Sequence, residues 1–362
     1  MKKRSLVVVG MTLVTSLSVC ACSQGELDLN SLDYTALCAK AKSEGELVSL
    51  AMPDTWANWE ETWDDLTAFY GIVPQDKDMC SEEELNAFKQ GEGDICDVGY
   101  SYAEKAEREQ LTLAYKTSYW NEIPTWAKDD DGDWIVSYTG AMAFMVNDKL
   151  QDPPRTWKEV LAGPYSVSIS NVSIASQGQY AIYAAALALG GTAKDPQAGI
   201  SAFMDLAKAG RLKVTPNGRD GALDSQADVI ILWDYLAFGY REKAREKAVA
   251  RDYHIFIPSD GSVTIGYASL INKKAKNPHG AALAREYILS DAGQINLARG
   301  YAMPIRSVAL PEDILKDRVP QDEYTEEMIQ NGLAFDDKAN RKIIKGWEEE
   351  IVPLLRAEGG RP

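Results

Sequence analysis

The residues of this chain equipped for chemistry recur in small groups: Asp54, Thr55 and Trp56; Tyr100, Ser101 and Tyr102; Trp233, Asp234 and Tyr235; and Tyr267. In the first three groups an aromatic ring stands beside a carboxylate or a hydroxyl just after a short apolar run. Aromatic faces attract organic cations, and a carboxylate adds a charge-assisted hydrogen bond to an amine. Four such groups converging on one cleft would hold a small cation or zwitterion without covalent chemistry. Ser176, in the polar stretch 173–179, offers a different chemistry, because free backbone N–H groups at a helix start can hold an anion. Arg306 is a candidate to assist there. Each of these residues also has an ordinary use as core or helix cap, so the functional reading rests on their convergence.

Other chemistries are poorly represented. The chain has no G-x-S-x-G elbow, Walker loop or C-x-x-C. GEGD at 91–94 precedes a strand instead of following one, which removes a dinucleotide fingerprint. Two histidines, His254 and His279, argue against His-based catalysis and a His-rich metal site. The acidic run 129–133 resembles a calcium loop, but it lacks the Gly at the sixth position and the Glu at the twelfth. It reads as a solvated turn. The expectation is a binding protein that is not an enzyme and takes no cofactor or metal. A formal net charge of −16 argues against nucleic-acid partners and a polybasic membrane patch, since both need positive surface.

The elements that must position these groups are organised by two β-prone apolar runs, WIVSYTGAMAFMVN at 134–147 and VTIGYASLIN at 263–272. A separate α/β pattern lies between them, so the two runs read as strands crossing between two lobes. A chain of 362 residues is long for one core. The expected parts are a first discontinuous lobe at 34–140 and 267–310, a second at 141–266, and helices at 311–362 packing across both. Expected strands include 46–51, 95–98, 165–170, 213–214, 228–232 and 254–257. Expected helices include 57–70, capped by Asp54 or Thr55, and 81–90, with Ser81 as cap and Glu84 completing a capping box. Others are 103–110, 180–189, 195–210, 242–251, 278–289, 291–299, 312–316, 325–332 and 337–355. Strand ends feeding helices are where open α/β sheets bind ligands. Three of the groups fall there.

The amino terminus reads as an export signal. Lys2, Lys3 and Arg4 precede an apolar run at 6–19 that is too short for a permanent span. VCACS at 19–23 resembles the bacterial lipobox, with Ala21 before an acylated Cys22. Residues 1–21 are then the signal peptide and 22–33 a lipid-anchored tether, and removing the signal takes the formal charge from −16 to −19. Cys38, Cys80 and Cys96 remain. An exported protein can hold disulfides, and Cys80 with Cys96 is a conceivable pair; with three cysteines, at least one thiol stays free.

Seven stretches carry a family resemblance: EGELVSLAMPDTW, GDICDVGYSYAEKA, YKTSYWNEIPTWAKDDDGDW, SYTGAMAFMVN, ILWDYL, the run 263–294, and YAMPIR. In this order they resemble the solute-binding lipoproteins of ABC importers, in the cluster of polyamine-, thiamine-, aminoethylphosphonate- and ferric-iron-binding proteins. The resemblance implies an α/β two-lobe periplasmic-binding-protein fold of type II, a Venus flytrap with two crossing hinge strands. It also implies a monomer at the cell surface or in the periplasm, anchored to the outer face of the cytoplasmic membrane and delivering its ligand to a permease and its ATPase. Ferric sites of the family use adjacent tyrosines plus a His, a pattern this sequence lacks. Polyamine binders resemble it at Trp233-Asp234. The leading expectation is a polyamine- or thiamine-like ligand, with Trp56 and Trp233 stacking and Asp54 and Asp234 neutralising charge. The alternative is a phosphonate or other anion at Ser176. Ferric iron, a sensory subunit and an extracytoplasmic enzyme are further alternatives.

Overall fold

The computed structural model describes residues 27–215, 221–247, 252–316, 318 and 323–357. The expected signal peptide, Cys22 and the start of the tether lie outside them. The strands of the described residues are β1 (Glu46–Leu50), β2 (Val73–Lys77), β3 (Ile95–Gly99), β4 (Trp134–Asn147), β5 (Val167–Ile169), β6 (Leu212–Val214), β7 (Val229–Trp233), β8 (Tyr253–Phe256), β9 (Thr264–Ile271) and β10 (Met303–Pro304). They form one mixed sheet in the order β2-β1-β3-β9-β4-β7-β5-β6, with β8 and β10 also paired to β4.

The 14 residues of β4 hold the sheet together because they change partner midway. From Trp134 to Ala141 the strand runs antiparallel to β9; from Met142 to Val146 it pairs β7, and from Phe144 to Asn147 it pairs β8. All of β9 lies on the first side, between β4 and β3. Thirteen of the 14 positions of β4 are buried, which explains a near-continuous apolar run instead of alternation. The ladder with β9 slips between Val136 and Tyr138. Such a bulge re-aims the following side chain. Here it brings the Tyr138 and Tyr267 rings nearly parallel, 5.9 Å apart at 3°.

Helices cover both faces. Trp59, Trp63 and Leu66 of the helix Trp59–Tyr70 are buried, as their spacing predicts, while Tyr70 is half-buried. Asp54 and Thr55 do not cap this helix; its N-cap is Asn58, in a left-handed conformation. The helix Ser81–Gln90 begins after Cys80, whose N–H donates to Glu83, so Glu83 takes the bracing role expected of Glu84. Three helices start earlier than expected, at Tyr100, Ser176 and Asp234. Two of them follow their strands without a loop, with Gly99 and Trp233 as caps. Residues 312–316 form turns, not a helix. The edge strand β2, which the sequence pattern does not announce, pairs in parallel with β1. The thiols of Cys38, Cys80 and Cys96 are all free, so the conceivable Cys80–Cys96 bridge is absent.

The two sides of the sheet touch beyond β4. Gln179 donates to the Tyr102 hydroxyl at 2.8 Å, and the Trp233 indole N–H donates to the Tyr267 hydroxyl at 3.0 Å. Near the carboxyl terminus, Phe335 stacks on Tyr183, with ring centres 4.7 Å apart, and Asp337 pairs with Arg108 at 3.1 Å.

Candidate functional site

A cavity of about 460 Å³ opens where the strand ends of the two sides face each other. Its first wall comes from the segment after β1 (Ala51, Trp56), the end of β3 (Asp97) and the start of the helix Ser81–Gln90 (Ser81, Glu84). Its second wall comes from the start of the helix Ser176–Ala188 (Ser176, Gln177) and from the helix Asp234–Glu246 (Tyr235, Leu236, Tyr240). Tyr138 on β4, the strand that crosses between the two sides, and Tyr267 on β9 beside it form the floor between them. Tyr235 packs its ring edgewise on Tyr138 at 5.3 Å. Trp233 holds the Tyr267 hydroxyl, and its backbone N–H donates to Gln177 at 3.2 Å.

The electrostatics of the wall are one-sided. Asp78, Glu83, Glu84 and Asp97 line it, and no described lining residue is Lys, Arg or His. Asp97 is 2% exposed; its Oδ2 accepts from the Tyr138 hydroxyl at 2.6 Å, and its Oδ1 is buried without a hydrogen-bond partner. Burial pushes its carboxyl up to about 8, against the lowering effect of the Tyr138 bond and with help from Asp76. Glu84, 1% exposed, accepts from the Asp97 N–H at 3.2 Å. Its carboxyl is held well above the usual range by burial first and by Asp97 second. Two further wall residues carry buried polar atoms without partners, the Trp56 indole N–H and the Ser176 hydroxyl. A ligand that donates and accepts hydrogen bonds and carries positive charge would relieve all of these at once.

The residues singled out from sequence are distributed unevenly. Trp56, Ser176 and Tyr267 line the cavity. Asp54 and Thr55 line a neighbouring space of about 340 Å³ that shares Trp56, Leu236 and Tyr240 with the first. Tyr100 packs against Trp126 and Trp134, and Ser101 is buried; neither is in the wall. Trp233 is fully buried behind Tyr267 and so acts as its support, not as a stacking surface for a ligand. Asp234 also lies outside the wall, because Ala141, Tyr235 and Tyr324 occupy its carboxylate. Arg306 is remote from Ser176, bound to Glu122, Asp291 and the Leu289 carbonyl. Ser176 itself opens its helix without a side-chain capping bond. Sequence reading missed Asp97, Glu84 and Tyr138, whereas Tyr235, from the Trp233–Tyr235 group, does line the cavity. One signal was available: Asp97 interrupts an apolar strand, ICDVG, where a charge has no structural excuse.

The bacterial extracellular solute-binding protein family model matches residues 94–325. The chain belongs to this family. Solved structures agree on its two-lobe, type II periplasmic-binding fold. One is the periplasmic binding protein AfuA from Actinobacillus pleuropneumoniae with fructose-6-phosphate bound, at 16% identity and TM-score 0.66, covering 84% of this chain and 98% of that one. A periplasmic thiamin binding protein has the same identity and TM-score, covering 84% and 96%. A ferric binding protein from Campylobacter jejuni is 18% identical at TM-score 0.64, covering 84% and 98%. At such identities these likenesses establish the fold alone. No curated protein matches the sequence. As an extracellular solute-binding protein, the chain has its cavity between two lobes, and no helix among the described residues is long and apolar enough to cross a membrane.

Proposed function

We propose that this protein captures a small organic cation or zwitterion outside the cytoplasmic membrane and delivers it to an ABC permease and its ATPase. The observation that carries this reading is the sign of the cavity wall: four carboxylates and five aromatic residues, Trp56, Tyr138, Tyr235, Tyr240 and Tyr267, with no basic residue among those described. Aromatic faces and carboxylates together favour positive charge. An anion would face the acids of the described wall, and Arg306 is committed elsewhere. His254 and His279 are not in the wall, and no described group of three or more His, Cys, Asp or Glu is arranged for a metal ion. Ligand exchange would follow from opening and closing of the lobes about β4 and the chain segment that leads into β9.

Thermal-shift screening followed by calorimetry tests the charge assignment, with putrescine, agmatine, thiamine and choline against 2-aminoethylphosphonate and fructose-6-phosphate. At least one cation is expected to bind in the micromolar range or tighter. Binding by a phosphate or phosphonate with no response to the cations would reverse the assignment.

A further inference from the structure

Asp97 stands apart from every other acid of the cavity. It is inside the sheet, almost wholly covered, and one of its oxygens has no partner. The groups around it offer no fixed counter-charge. From the helix Ser81–Gln90 comes Glu84, a second acid in contact with the Asp97 backbone. From the strands and the helix Asp234–Glu246 come the phenols of Tyr138, Tyr267 and Tyr235. Asp76, at the end of β2, adds negative charge, and the flanking thiols are Cys96 and Cys80. Asp78 and Glu83 complete the acidic side of the wall. Behind the sheet lies the guanidinium of Arg285, which donates to the carbonyls of Tyr115, Gly132 and Ser269. Glu84 and Asp97 are both buried and are joined through the Asp97 backbone N–H. With no base in the described wall, each other's charge is unwelcome, so simultaneous ionisation of the two is disfavoured in an empty site.

We propose that Asp97 is the residue that selects the ligand's charge, and that it does so by exchange: the empty site holds a carboxylic acid, and an incoming N–H cation takes the place of its proton. This rests on the cation reading above. In the exchange the O–H bond of the acid breaks, the proton passes to solvent, and the carboxylate accepts an N–H bond from the ligand. Net charge in the cavity is unchanged, which avoids the cost of burying an unpaired ion. The raised ionisation of Asp97, about 8, keeps the acid form dominant at neutral pH. A neutral analogue with no basic nitrogen, or an anion, gains nothing from the exchange, so the buried acid discriminates without a salt bridge in the resting protein. The Tyr138 hydroxyl, donating to the other oxygen, fixes which face of the carboxyl meets the ligand.

Calorimetry in phosphate and in Tris, which differ in ionisation enthalpy, counts the protons released on binding, with agmatine as probe because its guanidinium stays charged throughout. Release of about one proton at pH 7 is expected, with affinity rising roughly tenfold per pH unit below 8 and levelling above it. Asp97→Asn keeps the acceptor for Tyr138 and removes the titration. It should abolish proton release, flatten the pH dependence and weaken binding at least about 30-fold, while melting cooperatively. Binding of agmatine to the wild type with no proton release would overturn the exchange, even if the variant did not fold. Unchanged proton release in Asp97→Asn, or its loss in Glu84→Gln alone, would overturn the assignment to Asp97. If agmatine, putrescine, thiamine and choline all fail to bind and an anion binds, the cation reading itself falls and the exchange with it. That result is distinct from cation binding without proton release.

Discussion

Asp234 has both carboxylate oxygens occupied inside the protein: Oδ1 accepts from the backbone N–H of Ala141 at 2.9 Å and of Tyr235 at 2.8 Å, and Oδ2 accepts from Tyr324. It is also the first residue of its helix, where a negative charge meets the positive end of the helix dipole. Burial nevertheless pushes its carboxyl up to about 6. The residue therefore ties the helix to β4 and to the segment at Tyr324. Asp234→Ala leaves buried donors unpaired and should cost about 3 kcal/mol in denaturant unfolding. Asp234→Asn, which keeps one acceptor, should cost less. Affinity per folded molecule should stay within about twofold, since a residue outside the wall contributes no contact to a ligand. A large loss of affinity at unchanged stability would return Asp234 to the binding site.

At the scale of elements, one close approach between the two sides of the cleft is Gly99, the last residue of β3, against Ser176, which opens its helix. A Cβ at position 99 would lie 2.2 Å from the Ser176 Oγ. The backbone there, at φ −58° and ψ 144°, suits alanine as well as glycine. Gly99→Ala should therefore leave the fold intact and penalise only the closed approach. Overpacking of this kind costs about 1–3 kcal/mol, or roughly tenfold in affinity. Small-angle scattering should show the wild type compacting when saturated with the best-binding cation and the variant remaining more open. Replacing Ser176 by Gly in the same chain removes the clash and should restore the compaction. If Gly99→Ala binds and compacts like the wild type, closure does not run through this contact.

Delivery to a permease, as proposed, would require the whole molecule to be held near it. The charged start, the apolar run at 6–19 and Cys22 motivate the proposal of a lipid anchor that would hold the acidic body outside the membrane. Cys22→Ser should release the protein into the medium and abolish metabolic labelling with a fatty acid. Label that persists in the variant would assign the lipid to Cys20 instead.

The strands with apolar runs were legible in the sequence because burial on both faces writes itself into composition: β4 spans 134–147 in both readings. The edge strand β2, VPQDK, was not, because one partner and solvent on the other side demand no apolar pattern. The starts of the helices at Tyr100, Ser176 and Asp234 were missed for a related reason. Sequence reading looks for a polar cap, whereas Gly99, Ala175 and Trp233 cap with backbone alone. Trp56 could be picked out because its position after a strand and before a helix is local information. Whether a buried acid is spent on structure or left open to a ligand is not local. Asp97 meets Tyr138 from 41 residues away and Asp234 meets Tyr324 from 90. The sequence thus announced a two-lobe α/β fold, the long crossing strand β4 and some of the aromatic residues of the cleft, Trp56 and Tyr267 among them. Tertiary structure decided which carboxylate has an oxygen to spare, because that depends on the donors the fold brings to each one.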